Sequence, residues 1–292
     1  MFDLKSKCAL LTIRDLSNFQ SYDNLIVKPL SDLGWECEFV PWDSTSTNWD
    51  DFDAVIIRST WDYQQKENLF FKTLQSIEAS SATLYNSLDT VKWNIHKRYL
   101  LELERENISI IPTRLYDSFN FEIVSQLFSF FNEDKLVIKP CVSANADDTF
   151  MLEQNEMESL KPFLENTFFQ KDFLVQPFIK SIKSEGEYSL IYFGNRLSHV
   201  LLKKPKNGDF RVQEEHGGVL KAINKPKNSL TDFGNKVMGT IPYKCLYSRV
   251  DVVRDSNNYL LMEVELIEPS LYFNMDSKSP QMFAEVFNKW HG

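Results

Sequence analysis

Paired cysteines, long apolar runs and an excess of positive charge are all missing from this 292-residue sequence, and each absence removes a class of function. The four cysteines, Cys8, Cys37, Cys141 and Cys245, lie far apart. They never form the close pairs that a zinc site or a redox motif requires, so they read as buried apolar thiols. No stretch approaches the roughly 20 apolar residues of a membrane span. Asp3, Lys5 and Lys7 interrupt the N-terminus where a signal peptide needs an unbroken apolar run. A reducing cytoplasm is therefore the expected location, with no membrane partner. Lysine and arginine number 32 against 41 aspartates and glutamates, a formal net charge of −9. That surplus of carboxylates repels a phosphate backbone and argues against nucleic acid as a partner. It leaves nucleotides open, because ATP arrives with Mg²⁺ and is held by a few placed cations. There is no internal repeat and no low-complexity linker, so any domain border is packed and not a flexible tether.

What is present is enough apolar sequence, 43% of residues, to bury a sizeable core in two or three lobes. Cys8 to Ile13 is a short apolar run, Asn24 to Leu33 an amphipathic stretch ending at Gly34, and Cys37 to Pro41 and Ala54 to Ile57 two further strands. Strands separated by helical stretches predict a parallel α/β sheet whose ligands gather at the carboxyl ends of the strands, where Arg58 to Tyr63 sits. Glu67 to Ile77 reads as a helix, Leu84-Tyr85 as a short strand, and Val91 to Asn107 as one long helix carrying Lys97. From about residue 110 the style changes. Apolar runs follow closely at Leu136 to Ile138, Phe173 to Val175, Tyr188 to Phe193, His199 to Leu202, Ser248 to Val253 and Tyr259 to Val264. Turn signals at Gly194-Asn195 and Asp255 to Asn258 favour antiparallel hairpins, which makes this half α+β.

Three features carry chemistry. In a hairpin of Tyr247 to Val253 and Asn257 to Glu265, alternation sends Arg249 and Asp251 one way, and Glu263 and Glu265 share a face of the returning strand. Unpaired carboxylates cost several kcal/mol when desolvated, so something cationic should neutralise them. Hard oxygen ligands favour Mg²⁺ or Mn²⁺. The plain alternative is a half-exposed strand with Val264 and Leu266 in the core. Glu268-Pro269 then breaks the ladder and places Glu268 on a loop. The second feature is Lys139 at the end of the apolar strand Leu136 to Pro140, where a lysine either reaches solvent or neutralises an anion. The third is Phe173 to Ile179, whose Gln176-Pro177 interrupts pairing and either frees backbone groups of the kind an adenine edge needs or marks a simple edge strand.

In this order, the lysine strand, the Gln-Pro-Phe-Ile segment and the Asp…Glu-x-Glu hairpin resemble the ATP-grasp superfamily over essentially the whole chain. Within it the sequence looks most like a branch related to glutathione synthetase, ribosomal-protein glutamate ligases and the ligase that closes the ring of cycloserine. The stretches that carry this likeness are Arg58 to Tyr63, Trp93 to Leu100, Lys139-Pro140 and Glu265 to Ser270. The resemblance implies a mixed α/β and α+β architecture. An N-terminal parallel α/β domain (1–90) would precede a small lid subdomain with the nucleotide lysines (91–180) and a large subdomain with the metal hairpin (181–292).

It also implies roles. Lys97 and Lys139 would hold the α- and β-phosphates of ATP. Gln176, Pro177, Phe178 and Ile179 would lay backbone along the adenine, and Glu187 would take the ribose hydroxyls. Arg211 and Arg249 would face the γ-phosphate. Asp251, Glu263 and Glu265 would bind Mg²⁺ or Mn²⁺, although a glutamate at the third position departs from the commoner asparagine. Where many relatives have a glycine-rich loop, this chain has Val142 to Asp148, whose Asp147 and Asp148 should point outward. His216, Gly217 and Gly218 supply a flexible turn that would cover an acyl-phosphate. Substrate would be selected by Arg14, Arg58, Ser59, Trp61, Asp62 and Glu268. Of these, Arg58 suits a carboxylate and Asp62 an ammonium, unless the two pair with each other. The activity implied is an ATP- and Mg²⁺-dependent carboxylate–amine or cyclo-ligase working through an acyl-phosphate on a small amino-acid-like or peptide substrate, with small-molecule carboxylate and amine partners. A homodimer is compatible with the sequence. The rival readings are a non-catalytic nucleotide-binding protein and a phosphotransferase built on the same hairpin.

Overall fold

The first apolar runs form a parallel sheet. In this computed structural model, which describes all residues except 1–5, 144–145, 207, 213 and 215–216, strands β1 (Ser6–Thr12), β2 (Trp35–Pro41), β3 (Ala54–Ser59) and β4 (Thr83–Tyr85) pair in the order β2-β1-β3-β4. β3 is buried along its whole length, as befits a central parallel strand covered on both faces. One face packs against α2 (Glu67–Glu78) through Phe70, Leu74 and Ile77. The other packs against α1 (Asn24–Asp32) and, from the far end of the chain, against α9 (Ser279–His291), whose Phe283 and Phe287 share a core cluster with Cys8, Leu10 and Ile26.

Two antiparallel sheets follow. β5 (Arg114–Tyr116), β6 (Lys135–Pro140), β7 (Phe150–Glu153) and β8 (Phe173–Pro177) pair in the order β5-β8-β6-β7 under α5 (Phe121–Phe131) and α6 (Met157–Thr167). β9 (Glu187–Phe193), β10 (Arg196–Lys204), β11 (Val219–Ala222), β12 (Tyr247–Asp255) and β13 (Asn258–Glu265) pair in the order β11-β10-β9-β12-β13. The expected hairpins at Gly194-Asn195 and Asp255 to Asn258 are both present. The short helix α7 (Ser181–Ser184) leads into β9, and helix α8 (Asn228–Thr240) lies close on this sheet because Gly234 has no side chain. A Cβ there would stand 2.5 Å from the Tyr192 hydroxyl and 2.6 Å from Leu190 Cδ2. Among the described residues no helix is long and apolar enough to cross a membrane.

One expected element is broken. The long helix predicted over residues 91–107 is two helices, α3 (Leu88–Asn94) and α4 (Tyr99–Arg105), with Lys97 in the turn between them. The Lys97 N–H donates to the carbonyl of Cys141 at 2.9 Å, so a tertiary bond to the segment after β6 replaces the helical one. The two helices serve different cores, Leu88 and Val91 packing with the N-terminal sheet and Tyr99, Leu100 and Leu103 with the five-stranded sheet, so apolar residues recur on both sides of the break.

The end of β13 is held by side chains from other elements. Asn94 donates to the Val264 carbonyl at 2.8 Å and accepts from the Leu266 N–H at 2.9 Å, while the Val264 N–H donates to the Tyr99 hydroxyl at 2.9 Å. Asn86, after β4, donates to the carbonyls of Leu266 (2.7 Å) and Tyr247 (3.0 Å) and accepts from the Leu246 N–H. The Tyr247 hydroxyl sits between the carbonyls of Ile57 and Ile267, at 2.5 and 2.8 Å.

His199 on β10 is buried, and burial pushes its imidazole down to about 4 from an ordinary 6.5. The unfolded chain therefore takes up a proton near pH 6.5 that the native chain refuses until about pH 4. Stability is full above pH 6.5 and falls across that window by about 3 kcal/mol. His199→Gln should flatten this acid limb in urea unfolding curves collected from pH 7 to pH 4. An unchanged limb would remove His199 as its source.

Candidate active site

A cleft enclosing about 1510 Å³, its open mouth included, runs between the two antiparallel sheets and reaches the edge of the N-terminal domain. Part of it is apolar, built from Ile111, Ile179, Ile182 and Val212 with Phe178 beside them. Gln176 turns its side chain inward to Thr113 at 2.9 Å, which leaves the backbone of Gln176 to Ile179 along the cleft wall. On the side of the N-terminal domain the walls are Trp61, Tyr63, Ile267 and Glu268.

Between these parts lies a dense set of charges. Arg249 stands directly across from Glu265 in the hairpin, and Asp251 across from Glu263. The Arg249 guanidinium donates to both oxygens of Asp251 at 3.0–3.1 Å, to Glu265, and to the Ser270 carbonyl at 3.2 Å. Lys203, on β10 and separated from β12 by β9, bridges Glu187 and Asp251. Lys97 reaches Glu263 at 2.8 Å and the Ser143 carbonyl at 3.0 Å. Burial works against the Asp251 anion, but Arg249 and Lys203 overcome it and hold the carboxyl at about 2. The balance differs for Glu265, which burial lifts to about 7 despite Arg249. Glu268 is lifted to about 8 by burial and by the charge of Glu265. Lys139 is also buried, no carboxylate of the described residues lies within 4.0 Å of it, and burial lowers its pKa.

The cleft thus brings together Lys97, Lys139, Gln176 to Ile179, Glu187, Arg211, Arg249, Asp251, Glu263, Glu265, Trp61 and Glu268. Arg211 lines it with its fork turned back onto Asp209 at 2.9 Å. Other residues expected at the substrate are elsewhere. Arg14 is exposed and paired with Asp43 at 2.8 Å. Arg58 and Asp62 do not pair with each other. Arg58 is buried against Asp23 at 3.0 Å and the Pro269 carbonyl at 3.0 Å, and Asp62 accepts from Trp42 Nε1 at 2.6 Å. Ser59 donates to Asp23. Gly217 and Gly218 do not line the cleft, and His216 lies outside the described residues. Asp147 and Asp148 are exposed, as expected, with Asp148 paired to Lys171 at 3.1 Å.

Sequence reasoning missed Lys203, Asn94 and Tyr63. The alternation of β10 places His199, Leu201 and Lys203 in one buried phase, a signal that a lysine inside this sheet needs an acid. Asn94 and Tyr63 stood within stretches already singled out, Trp93 to Leu100 and Arg58 to Tyr63, without a function attached.

Residues 99–278 match the family described as RimK-like ATP-grasp domain, and residues 8–86 match the N-terminal domain of D-cycloserine synthetase DcsG. The chain belongs to the RimK-like ATP-grasp family. It is 23% identical over 271 residues to the cycloserine biosynthesis protein DcsG of Streptomyces lavendulae, covering 87% of this chain and 88% of that one. The crystal structure of D-cycloserine synthetase DcsG superposes with a TM-score of 0.87 at 20% identity, over 98% of this chain and all of the other. A D-alanine–D-alanine ligase from Bacillus anthracis does so at 0.67 and 12% identity, over 98% of this chain and 100% of that one. The mixed architecture, a parallel N-terminal sheet followed by two antiparallel ones, is that of the ATP-grasp fold. Ligases of this fold generally use ATP and Mg²⁺.

The donor chemistry of the cleft fits Mg²⁺. Asp251, Glu263 and Glu265 line the cleft together and offer hard oxygens. Among the described residues no three acids are already gathered around a common point, because Lys97, Lys203 and Arg249 each engage one or two of them.

Two lysines should respond oppositely to truncation. Lys203→Met strands Glu187 and removes one of the two cations beside Asp251, and should cost about 3–5 kcal/mol. Lys139→Met removes a buried ammonium that has no acid partner and should leave stability unchanged or raised. Urea unfolding of both variants checks this, and equal losses would contradict the assignment of partners.

Proposed function

We propose that this ATP-grasp ligase activates a small carboxylic acid as an acyl-phosphate and transfers the acyl group to a nitrogen nucleophile. The observation that carries the reading is the buried, unpartnered ammonium of Lys139 in a cleft whose other cations converge on the same space. A desolvated cation without an acid is stabilised by a bound anion, and a triphosphate supplies one. Lys139 and Lys97 would take the α- and β-phosphates, with Lys97 exchanging Glu263 for phosphate oxygen. The backbone of Gln176, Pro177, Phe178 and Ile179 would meet the adenine edge over the apolar wall, and Glu187 would accept from the ribose. Arg249 and Arg211 would disperse charge on the transferring phosphoryl group. Asp251, Glu263 and Glu265 would hold Mg²⁺ (or Mn²⁺), which neutralises polyphosphate charge when bound.

In the first step a carboxylate oxygen attacks the γ-phosphorus and ADP leaves. In the second, nitrogen attacks the acyl carbon, loses a proton and expels inorganic phosphate. The protein's contribution is positioning and electrostatics, with no covalent enzyme intermediate. A ring-closing version, in which the nitrogen belongs to the same molecule, is supported by the match of residues 8–86 to the corresponding domain of a cycloserine synthetase, since Trp61 and Tyr63 bring that domain to the cleft. The substrates are small molecules on this reading.

Purified chain incubated with ATP, Mg²⁺ and a pool of amino acids and small amines should release ADP, and hydroxylamine should trap a hydroxamate. ADP without hydroxamate would favour phosphoryl transfer to a hydroxyl, and no ADP would favour a binding protein. Glu263→Gln should lower ADP release by roughly 10²–10³-fold with the fold intact, the scale of removing one charge-stabilising group. Turnover near wild type would contradict its placement at the metal.

A further inference from the structure

Two cysteines that lie far apart in the sequence meet in the N-terminal sheet. Cys8 on β1 and Cys37 on β2 are direct partners in the parallel register of those strands, with α1 carrying the chain from one to the other. Both face the core that α1 and α9 cover: Cys8 belongs to that cluster, and Cys37 packs against it from the edge strand. Opposite residues on neighbouring strands stand about 4.8 Å apart, within the roughly 4.4–6.8 Å that separates the Cα atoms of a disulfide. The two side chains are close enough to hydrogen-bond to each other, and both are free thiols. Spacing in the sequence, by which all four cysteines read as separate apolar thiols, conceals this pair.

The pair is asymmetric in the way that thiol–disulfide exchange requires. Cys37 is half-buried on the edge strand, so a small molecule can reach its sulfur. The hydrogen bond from Cys8 holds the Cys37 thiol below its ordinary value, which favours the thiolate, the attacking species. Cys8 is wholly buried, and burial pushes its thiol well up, so it reacts only with a sulfur already delivered to its neighbour. Cys141 and Cys245 lie in the core of the five-stranded sheet, where burial pushes each up to about 12.

We propose that Cys8 and Cys37 are a modification site, a reversible disulfide that ties β1 to β2, with Cys37 attacking first and a small-molecule disulfide as the oxidant. The Cys37 thiolate attacks one sulfur of that disulfide, whose S–S bond breaks, and half of the oxidant leaves as a thiol carrying the proton that Cys37 shed. Cys37 is then held in a mixed disulfide. The Cys8 sulfur attacks that of Cys37 and expels the second half, which leaves with the Cys8 proton. Two protein thiols are oxidised and one small disulfide is reduced to two thiols. The closed segment contains α1 and Asp23, the residue that fixes Arg58 and through it the Pro269 carbonyl behind the cleft wall, so the bond braces the side of the N-terminal domain that supports the cleft. None of this depends on which reaction the cleft performs.

The test is incubation of the reduced full chain with cystamine, followed by proteolysis and mass spectrometry without reductant. A peptide pair joined through Cys8 and Cys37 is expected, with two of the four thiols lost from a count taken in denaturant and both regained with dithiothreitol. Cys8→Ala should stop at a lasting cysteamine adduct on Cys37, and Cys37→Ser should lose its remaining thiols at least about tenfold more slowly than wild type loses its two. Wild-type chain that keeps all its thiols, holds a lasting adduct at Cys37 or links a different pair overturns the proposal, as does Cys37→Ser that reacts at the wild-type rate. The wild-type peptide map decides the matter even where a variant fails to fold.

Discussion

The backbone from Val264 to Ser270 is held almost carbonyl by carbonyl by side chains from elsewhere in the molecule, and the cleft depends on that grip. Asn94, Asn86, Tyr247, Trp61, Arg58 and Arg249 supply donors to the carbonyls of residues 264 and 266 to 270. After β13 ends there is no strand partner left, and buried carbonyls without donors would each cost a few kcal/mol. Side chains replace the ladder, so this irregular segment is as fixed as a strand. It carries Glu268, which it places without the regularity of a sheet just beyond Glu263 and Glu265 on β13.

Because those acids are fixed and buried, the cations around them follow. Lys97 sits in a helix break, Lys203 inside a sheet and Arg249 across the hairpin, each desolvated and each tolerated because an acid lies opposite. On the ligase reading these pairs are the resting arrangement of groups that exchange partners when nucleotide enters, which keeps a highly charged cleft stable while it is empty of ligand. Lys139 stands outside that exchange, with no acid of the described residues within 4.0 Å.

Much of this was legible in the sequence. Period-two runs and turn residues give both hairpins, and alternation puts Arg249 with Asp251 on one face of their strand and Glu263 with Glu265 on one face of theirs, and the register adds that Arg249 stands across from Glu265 and Asp251 across from Glu263. What escaped was set by tertiary partners that no local pattern encodes. The break at Lys97 follows from its N–H donating to the carbonyl of Cys141, 44 positions later in the numbering. Arg58 reads as a cleft residue from its place at the end of β3, but Asp23 and Pro269 draw it behind the wall, and the cleft is left to its neighbours Trp61 and Tyr63. Polar residues in a promising stretch are legible as a group, while the choice of which one faces the ligand is made by packing.

The pairing of α1 and α9 on one face of the N-terminal sheet has a consequence for biosynthesis. Leu10 and Ile26 share their core with Phe283 and Phe287, residues separated by most of the chain. A ribosome delivers the first strands long before the helix that seals them. During that interval one side of the sheet stays wet and adhesive, so the earliest domain to emerge is among the last to be finished.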